Sequence, residues 1–336
     1  MAERTPRKIG VLGAGSWGTA LAKHLADSGH QVTLWARRSE QADAIERARE
    51  NVQYLPGASL PDSLHATASL EQTLAGADYA LSVVPSHTTR EVWAEARSFL
   101  GPKVPVISAS KGIENDTLEV MSEVLAEVLP DQRLAFLAGP SFAKEVARHL
   151  PTAVVIGAKD PALVEELQGV FSSDWLRAYG TQDVIGIEIG GALKNVIAIA
   201  CGCADGLGLG HNTRAAIITR GLAEIARMAT RLGADPLTLA GLGGMGDLVL
   251  TCTGDLSRNR RVGIGLGQGK TLPAILAEMG QVAEGVKTAK AARDLAAREG
   301  VEMPITGEVY RILYEDKPAR EVVIDLMRRD LKHEQR

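Results

Sequence analysis

The sequence predicts an α/β protein: a doubly wound, mostly parallel sheet followed by an all-α domain. A glycine-rich strand, turn and helix opens the chain, and strand-like runs then alternate with helical segments up to about residue 156. After about residue 183 the strand signals fade and helical periodicity takes over. Strands separated by helices imply a parallel sheet covered on both faces, whereas uninterrupted helical patterns imply a separate helical layer.

The first element is the apolar run 9–12, followed by Gly13-Ala14-Gly15-Ser16-Trp17-Gly18, which fits GxGxxG, and by a helical face carried by Leu21, Leu25 and small alanines. In a Rossmann-type βαβ unit the first glycine makes the tight turn, the second lets backbone approach a pyrophosphate, and the third packs helix on strand. Gly13, Gly15 and Gly18 therefore form the expected dinucleotide loop, with the helix N-terminus offering N–H groups to phosphate. A second match, Gly241 to Gly246, has no strand before it and reads as a loop between helices. The run 265–271 fails as a Walker loop because Ile264 stands where glycine is needed.

The second strand, Gln31 to Trp35, ends in Ala36-Arg37-Arg38. An acid at this place would accept the ribose hydroxyls of NAD, whereas arginine pairs with the 2′-phosphate of NADP. NADP(H) is thus the expected cofactor, with NAD(H) admitted; two solvated arginines at a strand end are the alternative. Further strands are expected within 79–84, 104–108, 133–138 and 153–156. Pro85-Ser86, Ser110-Lys111-Gly112 and Gly139-Pro140-Ser141 fall just beyond successive strands, on the edge where such sheets bind ligands.

Helices are expected over 187–204, 213–232, 235–253, 271–279, 287–299 and 307–314. The domain border is placed at 189/190, giving a dinucleotide-binding domain over 1–189 and a helical substrate and catalytic domain over 190–336. In EIGGALKNVIAIA, Gly191, Lys194, Asn195 and Ala198 share one helical face among small apolar neighbours. A lysine there is either desolvated, which lowers its pKa and suits acid/base work, or snorkels to solvent. A nearby cation such as Lys111 would add to the lowering. Asp247 and Thr251 lie four apart on a helix expected to end near Gly254, and Ser257 then caps a new helix that begins Arg258-Asn259. Helix-end donors beside an arginine fork suit a phosphate ester, the alternative being a capped helix with solvated arginines.

The 336 residues, 45% apolar and 23% charged with a net charge of −4, suffice for about two domains and give no general attraction to nucleic acid. No apolar run is seen to approach membrane-spanning length, and no signal peptide is recognised. Cys201, Cys203 and Cys252 contain no CxxC pair and read as reduced core residues of a cytoplasmic chain, and no metal site is expected. The expected partner is a small-molecule substrate, without nucleic acid or membrane insertion; a homodimer is left open.

Taken together, GAGSWGTALA, SASKGIE, AGPSFAKEV, ALKNVIAIACG with GLGLGHNTRAAIITRG, and GMGDLVLTCTGDLSRNRRVG resemble the bacterial type of NAD(P)-dependent sn-glycerol-3-phosphate dehydrogenase, in order, from about residue 8 to about 320. The resemblance implies interconversion of dihydroxyacetone phosphate and sn-glycerol 3-phosphate for phospholipid synthesis. It places cofactor contacts on Ser16, Trp17, Arg37, Arg38, Lys111, Ala143, Arg258, Val282 and Glu284. It places substrate contacts on Lys111, Gly139, Ser141, Lys194, Asp247, Ser257, Arg258 and Asn259, with Lys194 as acid/base and with Lys111 and Asp247 beside it in the catalytic set. A dehydrogenase of the 6-phosphogluconate or 3-hydroxyisobutyrate type, and a non-catalytic NADP(H) sensor, are the rival readings.

Overall fold

The computed structural model describes residues 5–279, 283–331 and 333–334. Val282, one of the expected cofactor contacts, lies outside the described residues. The first domain alternates β1 (Lys8–Leu12), α1 (Ser16–Asp27), β2 (Gln31–Trp35), α2 (Ser39–Ala48), β3 (Leu64–Thr67), α3 (Leu70–Leu74), β4 (Tyr79–Ser82), α4 (Thr89–Ala96), β5 (Val106–Ser108), α5 (Met121–Val128), β6 (Leu134–Ala138), α6 (Ala143–Val146), β7 (Thr152–Gly157), α7 (Pro161–Phe171) and β8 (Leu176–Thr181). The second is all helical: α8 (Val184–Gly206), α9 (Gly210–Arg231), α10 (Asp247–Thr253), α11 (Arg258–Gly267), α12 (Leu272–Met279), α13 (Glu284–Glu299), α14 (Pro304–Tyr314) and α15 (Ala319–Met327).

The eight strands form one sheet in the order β3-β2-β1-β4-β5-β6-β7-β8, parallel except where β6 meets β7. Alternation along each strand covers both faces. Ile9 and Val11 of β1 enter one core with Leu81, whereas Leu12 enters the opposite core with Ala80 and Trp93. The chain winds outward both ways from β1, so the carboxyl ends of β1 and β4 bound the switch point where such sheets bind ligands.

Two strands went unread in the sequence, β3 and β8. β3 is four residues long, and β8 (LRAYGT) mixes a charge and a glycine into its pattern. The segment expected as one helix over 235–253 is instead a 3₁₀ turn, a π-helical turn over Leu242–Gly246 and α10. The second glycine motif, read as a loop, is that π turn; its glycines fit it against α8, where a Cβ on Gly190 would lie 2.6 Å from the Gly243 carbonyl.

α8 also corrects the membrane reading. Its 23 residues are long and apolar enough to cross a bilayer, but 83% of the apolar window is buried within the protein, so α8 is a core helix. Val184 and Ile187 pack into the sheet's core, and from Ile189 onward the buried apolar side chains enter two cores of the helical domain, Ile197 and Cys201 one of them and Val196, Ile199 and Cys203 the other. α11 lies directly against it: a Cβ on Gly202 would meet the Arg260 carbonyl at 2.0 Å, and one on Gly263 the Ile199 carbonyl at 2.1 Å. That close approach sets the N-terminus of α11 beside Asn195. Cys201 and Cys203, two residues apart, enter different cores, and all three cysteines are buried and unbridged.

Candidate active site

The glycine turn comes first in the chain. Gly13 has φ +120°, and a Cβ on it would lie 2.6 Å from the Val83 carbonyl, so a larger residue there would be strained and crowded. A Cβ on Gly18 would fall 1.8 Å from the Gly13 carbonyl, which fixes α1 against the turn. At Gly15 the same test meets no atom within 4 Å: the middle of the turn is open. The Ser16 hydroxyl donates to the Tyr54 carbonyl at 2.6 Å, leaving backbone N–H groups as the donors at the start of α1. Trp17 sits in that first turn with its ring against the apolar core. An open middle glycine at a helix N-terminus, on the switch-point edge, fits the pyrophosphate of a dinucleotide. Arg37 and Arg38 follow β2 on the same edge and are exposed; Arg38 donates to Gln53 at 3.2 Å.

The charged centre is built where the β5 loop meets α8 and α10. Lys194 is 6% exposed, and its Nζ donates to Asp247 Oδ1 at 2.6 Å and to Thr251 Oγ1 at 2.8 Å. Lys111, reaching in from the loop after β5, donates to the other carboxylate oxygen, Oδ2, at 2.7 Å, and its Nζ lies 3.5 Å from the Gly139 carbonyl. One carboxylate thus holds two ammonium groups. Burial pulls Lys194 down to about 8, and the neighbouring Lys111 charge pushes the same way, while Asp247 opposes both. Burial works against the Asp247 carboxylate, but the two cations outweigh it and hold the carboxyl below its usual range. Lys194 is therefore a buried, partnered lysine and does not snorkel.

Gly139 and Ser141 follow β6, with the Ser141 hydroxyl donating to the Gly139 carbonyl at 3.0 Å; Ala143 opens α6 just beyond. From the other side, Ser257 caps α11 by accepting from the Arg260 N–H at 3.2 Å. Asn259 donates to Asn195 Oδ1 at 2.9 Å and accepts the Gly285 N–H at 3.0 Å, which joins α8, α11 and α13. Arg258 is partly exposed at the first position of α11. Glu284, at the start of α13, is held above the ordinary carboxylate range by burial, against the opposing charges of Arg258, Lys111 and Lys194. Sequence reasoning passed over Thr251 as a site residue, although its spacing four residues after Asp247 was visible, and it passed over Asn195 in the same way.

With this geometry in place, comparison with known proteins is decisive. The model of the NAD-dependent glycerol-3-phosphate dehydrogenase N-terminus matches residues 8–164, and that of the C-terminus matches 183–324. The chain belongs to this family. A relative in Geobacter sulfurreducens named glycerol-3-phosphate dehydrogenase (NAD(P)+) is 56% identical over 330 residues, covering 97% of this chain and 98% of its own. A relative of the same name in Leptospira biflexa is 53% identical over 330 residues, covering 97% and 99%. The crystal structure of glycerol-3-phosphate dehydrogenase from Coxiella burnetii superposes with a TM-score of 0.94 at 40% identity, covering 96% of this chain and 99% of that one.

Proposed function

We propose that this chain interconverts dihydroxyacetone phosphate and sn-glycerol 3-phosphate, with Lys194 as the proton donor and acceptor. The observation that carries this reading is the buried Lys194, held at about 8 and bonded to Asp247 and Thr251 within 3 Å. The Gly13–Gly18 turn and the N-terminus of α1 would hold the pyrophosphate of a nicotinamide cofactor, which when bound would supply the hydride for ketone reduction and accept it in alcohol oxidation.

In ketone reduction the carbonyl oxygen gains negative charge, and the Lys194 ammonium gives it a proton; in alcohol oxidation the neutral amine takes that proton back. A pKa near the working pH lets one group serve both directions. Lys111 stabilises the developing oxyanion, and Asp247 orients both lysines. Ser257, Arg258 and Asn259 at the start of α11 hold the phosphate, which fixes the ketone in register for transfer. Gly139 and Ser141 line the substrate side; Trp17, Ala143 and Glu284 belong to the cofactor side. The exposed pair Arg37 and Arg38 reads the 2′-phosphate, so NADP(H) is preferred over NAD(H).

The border between the two functional halves is taken at 189/190, within α8, the helix whose Val184 and Ile187 pack into the sheet core and whose Ile189 packs into the helical core. The enzyme works in the cytoplasm, supplies glycerol 3-phosphate for phospholipid synthesis, and admits a homodimer. The test is NADPH oxidation by purified protein with a panel of carbonyl compounds. Turnover with dihydroxyacetone phosphate far above the carbonyl products of the 6-phosphogluconate and 3-hydroxyisobutyrate reactions is expected; a preference for either of those would overturn the reading.

A further inference from the structure

Glu188 lies on α8 six residues before Lys194, and nothing in the mechanism above uses it. Its Oε1 accepts the Ser122 N–H at 2.9 Å in the first turn of α5, while its Oε2 is fully buried and has no hydrogen-bond partner among the described residues. An ionised carboxylate with a dry, unpartnered oxygen is costly, whereas a protonated one needs only a place to donate. Such a place exists. A cavity of about 10 Å³, close to the room needed for one water, has Glu188, Ser108, Ser110 and Lys111 on its polar side and apolar side chains such as Phe136 and Ile187 on the other. Two of its walls carry hydroxyls, and buried waters require such polar partners. Lys111 shares the cavity: its aliphatic stem passes the open side of Gly191, within 3.7 Å of where a Cβ would stand.

We propose that Glu188 is a positioning residue for Lys111: its protonated carboxyl and one internal water fill this cavity and anchor the Ser108–Gly112 loop that carries the lysine. The charged groups facing Glu188 are Glu123 on α5 and Lys111 on the loop. Burial, reinforced by Glu123, raises the Glu188 carboxyl to about 8, although hydrogen bonding from both the side chain and the backbone of Ser122 opposes this. Neutrality has a purpose here. An ionised Glu188 would draw the Lys111 ammonium toward the cavity and away from Asp247, to which it is bonded at 2.7 Å. The neutral acid supports the loop without competing for the charge.

The proposal rests on the reading of Lys111 as the oxyanion stabiliser, so one arm of its test does not depend on turnover. Infrared spectra of the folded protein are compared with those of Glu188→Gln. A protonated carboxyl C=O band at pH 7, lost in the variant and titrating with a midpoint near 8, is expected. Absence of that band at pH 7 overturns the proposal.

The kinetic arm compares Glu188→Gln, which still accepts from Ser122 and donates to the water, with Glu188→Leu, which does neither. Glu188→Gln is expected to keep kcat within about threefold at pH 7, and Glu188→Leu to lose about tenfold or more in kcat with a smaller change in KM, since a displaced catalytic group loses far more rate than binding. A merely structural Glu188 would move Tm and leave kcat unchanged in both variants, and that result overturns the positioning role. If Lys111→Ala itself retains parental kcat, the reading of Lys111 fails and the positioning role of Glu188 falls with it. A surviving infrared band would then identify the failure as that of Lys111 and not of the carboxyl.

Discussion

At the inner end of the site, Asp247 is 1% exposed and holds two ammonium groups at 2.6 and 2.7 Å, whereas at the outer end Arg37 and Arg38 stand in solvent beside β2. The difference is one of dielectric. A pair of unit charges 4 Å apart is worth about 4 kcal/mol at an effective dielectric of about 20 and about 1 kcal/mol in water. The buried centre can therefore hold a lysine far from its ordinary pKa, while any ligand contact made by the exposed arginines would be modest and salt-sensitive. The proposed function thus puts chemistry where charge is strong and cofactor choice where it is weak.

Asp247→Ala should break the inner end most severely. It leaves two lysine ammoniums without their shared counter-charge, one of them buried, and removing one partner of a buried pair costs about 3–5 kcal/mol. Denaturant unfolding of parent and variant measures the loss; a change below about 1 kcal/mol would mean that water reaches the lysines freely. Arg258→Ala should remove a charge-assisted contact to the substrate phosphate, worth about 1.5–3 kcal/mol, or about 10- to 100-fold in kcat/KM for dihydroxyacetone phosphate. Unphosphorylated dihydroxyacetone, already a poor substrate, should lose much less. Equal losses for both ketones would remove Arg258 from the phosphate site.

The pH dependence sharpens the comparison. Lys194 titrates at about 8, below the ordinary 10.5, so its ammonium prevails below about pH 8 and its amine above. In the proposed mechanism ketone reduction uses the ammonium, so its kcat should fall about tenfold per unit on the alkaline side; alcohol oxidation uses the amine and should rise through the same window. Rate profiles in both directions test this, and parallel profiles would assign the titration to another group.

The smallest effect is expected at the outer end. Arg37→Ala should weaken NADPH relative to NADH by about tenfold in kcat/KM, the low end for a charge-assisted hydrogen bond. Higher salt should narrow the parent's own preference, because exposed charges are screened over about 8–10 Å. An unchanged cofactor ratio would leave Arg37 as a solvated strand end.

Much of this contrast is written in the sequence. The glycine turn is legible because Gly13 and Gly18 answer to local sterics, and the Ser257 cap because its bond reaches only to Arg260. Lys194 was ambiguous. A helical face shows which side chains travel together, but burial depends on α10 and α11 arriving from some 50 residues later in the chain, and only the fold brings Asp247 to it. Thr251 was recognisable by spacing and missed by role. Glu188 had no local signal at all, since its orphaned oxygen exists only once α5 and the β5 loop close around it. β8 escaped because a strand at the edge of the sheet carries exposed residues that blur its alternation.

The central claim is that the buried lysine moves the proton, and the kcat of Lys194→Ala with dihydroxyacetone phosphate and NADPH tests it most directly. General acid catalysis contributes about 10²- to 10⁴-fold, so the account predicts a kcat lower by about a hundredfold or more, with NADPH affinity nearly unchanged. A variant that kept near-parental kcat would contradict the account and reduce Lys194 to a buried structural cation.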